Sequence, residues 1–146
     1  MNTIHSVLIV DDNPHDVRLT RKMLEKSGRY EHIFEATDGT EALALFEEHE
    51  ATRARYRDAF PPLLILLDIN MPLMDGFEFL KAYNSLAPEA REPSSIIVML
   101  TSSSHARDQA RALDHPAVKG YVIKPMNRRR ASELADQALQ VMTGVP

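Results

Sequence analysis

The chain has 146 residues, 44% of them apolar and 26% charged, a composition that suits one globular domain and is short for two. It has no cysteine, which excludes a disulfide framework, thiolate chemistry and a zinc–thiolate site. A net charge of −4 argues against a protein that coats nucleic acid. No apolar stretch reaches the roughly 18 residues of a membrane span, and Met1–Ser6 lacks the features of a secretion signal, so the expected location is the cytoplasm.

In chain order, Ser6–Val10 forms an apolar run that ends in Asp11-Asp12-Asn13. Asn13 can cap a helix whose first residue is Pro14, with Val17, Thr20 and Leu24 as its inner stripe and Gly28 as its stop. A short strand through Ile33–Ala36 follows, and Asp38-Gly39 opens a helix carrying Ala42, Leu43 and Phe46. Its end is not marked: the charged segment Ala51 to Phe60 either extends it or forms a loop before Pro61-Pro62.

The run Leu64-Ile65-Leu66-Leu67 reads as a strand covered on both faces, and it stops at Asp68. After the Asp75-Gly76 turn, Phe77, Leu80 and Tyr83 or Asn84 recur at helical spacing, and Pro88 and Pro93 mark a loop. Ile96–Leu100 ends in Thr101-Ser102-Ser103-Ser104. His105–Leu113 suits a short helix broken by Asp114-His115-Pro116, and Gly120–Ile123 ends in Lys124-Pro125. A last helix begins near Asn127, with Leu134, Ala138 and Val141 as its buried stripe. The alternation predicts a parallel sheet with helices on both faces, five strands and five helices, in a single domain spanning 1–146 with no attached output domain.

All four candidate site segments follow apolar runs. In open α/β sheets ligands bind outside the carboxyl ends of the strands, where strand order reverses. Three carboxylates, Asp11, Asp12 and Asp68, delivered to that edge repel one another unless a cation sits among them, and oxygen ligands suit Mg²⁺ or Mn²⁺. Thr101 adds a hydroxyl and Lys124 an ammonium, a set suited to moving a phosphoryl group. Taken alone, an Asp that closes a strand is more often a turn or cap residue, and Asp75 and Gly76 read as turn makers. The joint occurrence of Asp11, Asp12, Asp68 and Lys124 favours chemistry. Arg128-Arg129-Arg130 reads as a solvated helix face, and the six histidines show no metal-ligand spacing.

These motifs, in this order, resemble the receiver domain of bacterial response regulators, the phospho-accepting part of two-component signalling, over about Val7 to Met142. The resemblance is to the stand-alone, chemotaxis-regulator-like type. It implies a flavodoxin-like fold with strand order 2-1-3-4-5, a signalling switch and not an enzyme. By that likeness Asp68 is the phosphoacceptor, taking a phosphoryl group from a histidine kinase or phosphotransfer protein. Asp12, Asp68 and the Asn70 carbonyl bind Mg²⁺ directly, and Asp11 acts through water. Thr101 and Lys124 contact phosphoryl oxygens, Thr101 and Tyr121 form the switch, and the Lys124–Pro125 bond is cis.

The implied output is binding of an unidentified protein, with neither nucleic acid nor membrane involved, by the face of the fourth helix, fifth strand and fifth helix. A monomer and a phosphorylation-linked homodimer both fit. Leu113–Gly120 and Ala51–Pro62 look longer than the family's usual connections. Asn70 and Ser103 are small and polar, which leaves water a route to an acyl phosphate. Two alternatives are a Mg²⁺-dependent phosphohydrolase with an aspartyl phosphate and a receiver-like module that is never phosphorylated. The hydrolase pattern wants a second Asp two residues after the nucleophile on the first strand, where this chain has Asn13 after Asp11.

Overall fold

Successive strand residues point to opposite faces of a sheet, so runs that are apolar at every position must be covered on both sides. The computed structural model describes residues 2–91 and 95–143. It contains β1 (Val7–Val10), α1 (Pro14–Ser27), β2 (Ile33–Ala36), α2 (Gly39–Glu47), α3 (His49–Tyr56), β3 (Leu64–Leu67), α4 (Gly76–Asn84), α5 (Pro88–Arg91), β4 (Ile96–Thr101), α6 (Ala106–Leu113), β5 (Val118–Ile123) and α7 (Arg128–Thr143). The five strands are parallel in the order β2-β1-β3-β4-β5, the order expected, and every residue of β1, β3 and β4 is buried.

Two cores follow from the alternation. Leu8, Val10, Ile65, Leu67, Ile97 and Met99 face α2, α4 and α6 through Phe46, Phe79, Leu80, Tyr83 and Ala112. Val7, Ile9, Leu64, Leu66, Val98 and Leu100 face α1 and α7 through Leu24, Ala131, Leu134 and Ala138. Within α4 the buried stripe is Phe79, Leu80 and Tyr83, while Phe77 is half-buried beneath the Arg111 guanidinium. In α7 the stripe is Ala131, Leu134, Ala135 and Ala138. Val141, expected in it, is 49% exposed.

Among the described residues seven α-helices stand where five were expected. The two additional ones, α3 and α5, lie in segments that read as undecided or as loop. α2 ends at Glu47 and α3 starts at His49, with Glu48 alone between them. The Thr52 hydroxyl bridges the break by hydrogen bonding to the carbonyls of Leu45 and Glu48, both at 2.9 Å. α3 earns its place through Tyr56, whose ring meets Phe34 edge-on with centroids 4.8 Å apart. Pro93 lies outside the described residues.

The connection into β5 is shorter than it looked. β5 begins at Val118, and Ile97 pairs with Val118 while Val98 pairs with Gly120, so Lys119 is the additional residue of a β-bulge. The amide of Gln137 on α7 donates to the Lys119 carbonyl at 2.8 Å, which satisfies the group the bulge takes out of the ladder.

α7 is further tied to the chain before β2. Arg29 is 2% exposed, and its guanidinium reaches the Asp136 carboxylate at 2.7 Å and the Ser132 hydroxyl at 2.9 Å. Beside it the Tyr30 hydroxyl donates to the Ala131 carbonyl at 2.8 Å. Burial pushes the Tyr30 phenol well above the ordinary tyrosine value; Arg29 opposes this rise and Asp136 adds to it. A proton held more tightly in the folded state gives stability that is complete below the unfolded-state value, about pH 10, and is lost as pH rises through the folded-state value. Urea-unfolding midpoints are therefore expected to fall above about pH 10, and Tyr30→Phe to flatten that fall. Equal slopes for the two proteins would show that Tyr30 is not the group responsible.

Candidate functional site

Asp11, Asp68 and Lys124 sit where a strand's hydrogen-bond ladder makes its last rung. The Asp11 N–H donates to the Ala36 carbonyl at 3.1 Å, the Asp68 N–H to the Val10 carbonyl at 3.0 Å and the Lys124 N–H to the Thr101 carbonyl at 2.9 Å. The backbone therefore fixes three site residues to neighbouring strands before any side chain interacts. β1 and β3 are adjacent, and strand order reverses there, so their carboxyl ends form the crevice.

Asp11, Asp12 and Asp68 each bring a carboxylate oxygen within 4.8 Å of the others. Asp11 and Asp68 are buried and Asp12 is exposed, so the cluster has an open side. The Lys124 ammonium reaches Asp11 Oδ2 at 2.7 Å and Asp68 Oδ2 at 3.0 Å. The other oxygens are held by main chain: the Asn13 N–H donates to Asp11 Oδ1 at 2.9 Å and the Ile69 N–H to Asp68 Oδ1 at 2.7 Å.

Burial pushes the Asp11 carboxyl above its ordinary value. The Lys124 and Asn13 hydrogen bonds oppose that rise, and the Asp68 charge adds to it. For Lys124 burial alone would lower the value, but hydrogen bonds from the ammonium to Asp11, Asp16 and Asp68 outweigh it and hold the ammonium well above the usual range. The lysine is thus a fixed cation across the physiological range.

Thr101, the last residue of β4, is fully buried, and its hydroxyl accepts from the Ser103 N–H at 3.3 Å. Tyr121 lies half-buried on β5 and donates to the Ser103 carbonyl at 2.9 Å. The Ser103 hydroxyl in turn donates to Asp108 on α6 at 2.6 Å. Thr101 and Tyr121 therefore both bond to the main chain of Ser103. Asn70 is exposed two residues beyond Asp68, and the Lys124–Pro125 peptide bond is cis, as is Phe60–Pro61. Arg128, Arg129 and Arg130 are exposed, with Glu133 at 3.9 Å from Arg129 and 3.8 Å from Arg130. Among the described residues the acidic trio is the one candidate metal cluster, and no histidine belongs to it.

Asp16 was missed in the sequence. Its Oδ2 lies 2.9 Å from the Lys124 ammonium, as a third carboxylate on that cation. The available signal was its position three residues after the cap Asn13, since helical side chains lean toward the helix N-terminus and so back over the pocket.

The turn residues after β3 prove to be structural parts of the site. Asp75 and Glu78 form a reciprocal capping box at the start of α4, with bonds of 2.8 and 3.1 Å. Gly76 donates its N–H to the Ile69 carbonyl at 2.8 Å and lies so close to the chain at Asp68 that a Cβ there would stand 2.4 Å from the Asp68 carbonyl oxygen. Between them Leu73 adopts φ 67° inside a three-residue turn closed by Met74 N–H to the Pro72 carbonyl at 2.7 Å.

A doubly wound sheet with an acidic, lysine-bridged pocket at its reversal point defines a class of α/β domain built to handle phosphoryl groups. The chain belongs to the response regulator receiver domain family, which it matches over residues 7–136. It is 28% identical over 137 residues to the chemotaxis protein CheY of Bacillus subtilis, covering 92% of this chain and 98% of that one. It is 30% identical over 128 residues to the sensor protein GacS of Pseudomonas syringae, covering 88% of this chain but 13% of GacS. The crystal structure of a two-component response regulator from Cytophaga hutchinsonii superimposes with a TM-score of 0.81 at 30% identity, covering 94% of this chain and 98% of that one.

Gly76→Ala is expected to lower the thermal midpoint by an amount corresponding to about 1–3 kcal/mol, because the new methyl must displace the Asp68 main chain. Gly28→Ala, in a left-handed helix cap with open space around it, is the control, with an expected cost of about 1 kcal/mol. Two-dimensional amide spectra should show the Asp68 loop perturbed in the first variant and not in the second.

Proposed function

We propose that this chain works as a phosphorylation-driven signalling switch in which Asp68 accepts a phosphoryl group from the phosphohistidine of a kinase or phosphotransfer protein. The observation that carries this reading is the Asp68 carboxylate, held by the Lys124 ammonium at 3.0 Å and flanked by Asp11 and Asp12 oxygens within 4.8 Å. Two buried carboxylates and an exposed one at this spacing, Asp11 pushed up by desolvation, make a donor set of hard oxygens that fits a divalent cation such as Mg²⁺ or Mn²⁺. Asp11, Asp12 and Asp68, with the Asn70 carbonyl, would hold it. When bound, such an ion neutralises charge so that a dianionic phosphoryl group can approach.

A carboxylate oxygen of Asp68 then forms the bond to phosphorus as the phosphorus–nitrogen bond breaks, and its electron pair returns to the imidazole of the donor. Lys124 exchanges its contact with Asp68 Oδ2 for one with a phosphoryl oxygen. Thr101, whose hydroxyl is engaged by the Ser103 N–H, turns to donate to another phosphoryl oxygen. Because Tyr121 holds the carbonyl of that same Ser103, movement of the loop is felt on β5. The charge change is local, and the readout is a repacked surface offered to a downstream protein. In this reading the chain relays a signal and does not turn over a substrate. Among the described residues no helix is long and apolar enough to cross a membrane.

Incubation with Mg²⁺ and acetyl phosphate, followed by intact mass measurement, is expected to give one phosphoryl adduct. Asp68→Asn should abolish it, and chelation of the metal should prevent it. An adduct that persists in Asp68→Asn would assign the acceptor elsewhere, and sustained release of phosphate from added phosphoesters would favour a hydrolase.

A further inference from the structure

The Lys124 ammonium has three protons and three carboxylate partners, Asp11 at 2.7 Å, Asp16 at 2.9 Å and Asp68 at 3.0 Å. Two of these belong to the acidic trio, and Asp16 stands outside it. In a capping box an acidic residue in this position folds back onto the N–H of the capping residue, as Glu78 does at the start of α4. Here the Asn13 N–H is already taken by Asp11 Oδ1 at 2.9 Å, so the Asp16 carboxylate is left for the lysine. Its own backbone is pinned, with the Asp16 N–H donating to Asn13 Oδ1 at 3.2 Å. Asp16 is 37% exposed and Lys124 10%, so the pair sits at the mouth of the pocket, on the way in.

We infer that Asp16 is a positioning residue that competes with the phosphoryl group for the Lys124 ammonium and so restrains loading of Asp68. The inference rests on the reading of Asp68 as acceptor. A cation drawn into the acidic trio would engage Asp11 and Asp68, the partners Lys124 shares with it, whereas Asp16 keeps its claim on the lysine. An incoming phosphoryl group must then displace Asp16 or accept a shared ammonium, and it also meets one more negative charge at the pocket mouth. Competition and repulsion act in the same direction. Both should weaken with salt, since the pair is partly exposed.

The test compares wild type, Asp16→Asn and Asp16→Glu, each loaded with Mg²⁺, in the initial rate of adduct formation from acetyl phosphate and in affinity for beryllofluoride as a phosphoryl mimic. Asp16→Asn is expected to load faster and bind the mimic more tightly by roughly two- to fivefold at low ionic strength, the range of a half-exposed ion pair. The gain should shrink at high salt, and Asp16→Glu should follow wild type. A purely structural role would move the melting temperature without this salt-dependent gain. Unchanged or weaker loading in Asp16→Asn, or Asp16→Glu behaving like Asp16→Asn, overturns the inference while leaving Asp68 as acceptor. Failure of wild type itself to gain an adduct overturns both.

Discussion

The structure depends most on one cation. Carboxylates delivered by β1, β3 and the first turn of α1 would repel one another at a partly buried sheet edge, and the Lys124 ammonium, 2.7 to 3.0 Å from three of them, makes that convergence tolerable. Its main-chain N–H is bonded to Thr101, so the charge is carried by the end of the ladder and not by a free loop. The same lysine therefore closes the sheet edge, balances the acidic cluster and faces the position where new charge would arrive.

Around this centre the fold separates rigid from adjustable parts. β1 and β3 are buried along their whole length and hold Asp11 and Asp68 through backbone bonds, while the capping box and the tight approach of Gly76 fix the loop that follows Asp68. On the β4–β5 side the contacts to the loop after Thr101 are single hydrogen bonds, from Tyr121 to the Ser103 carbonyl and from the Ser103 hydroxyl to Asp108. Such bonds can be exchanged at small net cost, whereas the packed strands cannot shift without losing core contacts. The loop after Thr101 is therefore held less stiffly than the loop after Asp68.

Much of this was legible in the linear chain because it follows from local rules. Asn13-Pro14 capped α1 and Gly28 ended it in a left-handed conformation, as those residue types demand. The apolar runs became the strands, and the residues after them became the pocket. What could not be read depended on partners distant in sequence. The α2–α3 break rests on the bridging Thr52 hydroxyl, and α3 is held by the ring of Tyr56 against Phe34, far away in the chain. The apparent length before β5 was a bulge, visible only as a register shift against β4. Within α4 the spacing found the buried Leu80 and Tyr83 and put Phe77 with them, but Phe77 is only half-buried at the edge of that face and Phe79 takes the central place, because the two are equally apolar and the sheet decides which is covered.

The sequence by itself determined the alternation of strands and helices and the set of acidic, hydroxyl and ammonium groups at strand ends, since each follows from periodicity or from residues near one another along the chain, and the order of those motifs carried the resemblance to the family. The resemblance implied the pairing of Lys124 with Asp68, and tertiary structure decided that Asp16 shares the lysine too. Asp16 lies 108 positions before Lys124 and Asp68 lies 56 before it, and neither separation carries a local signal. They meet because parallel strands stack their carboxyl ends at one edge and a helix start leans its side chains back over it, and that convergence gives a common aspartate a part in the site.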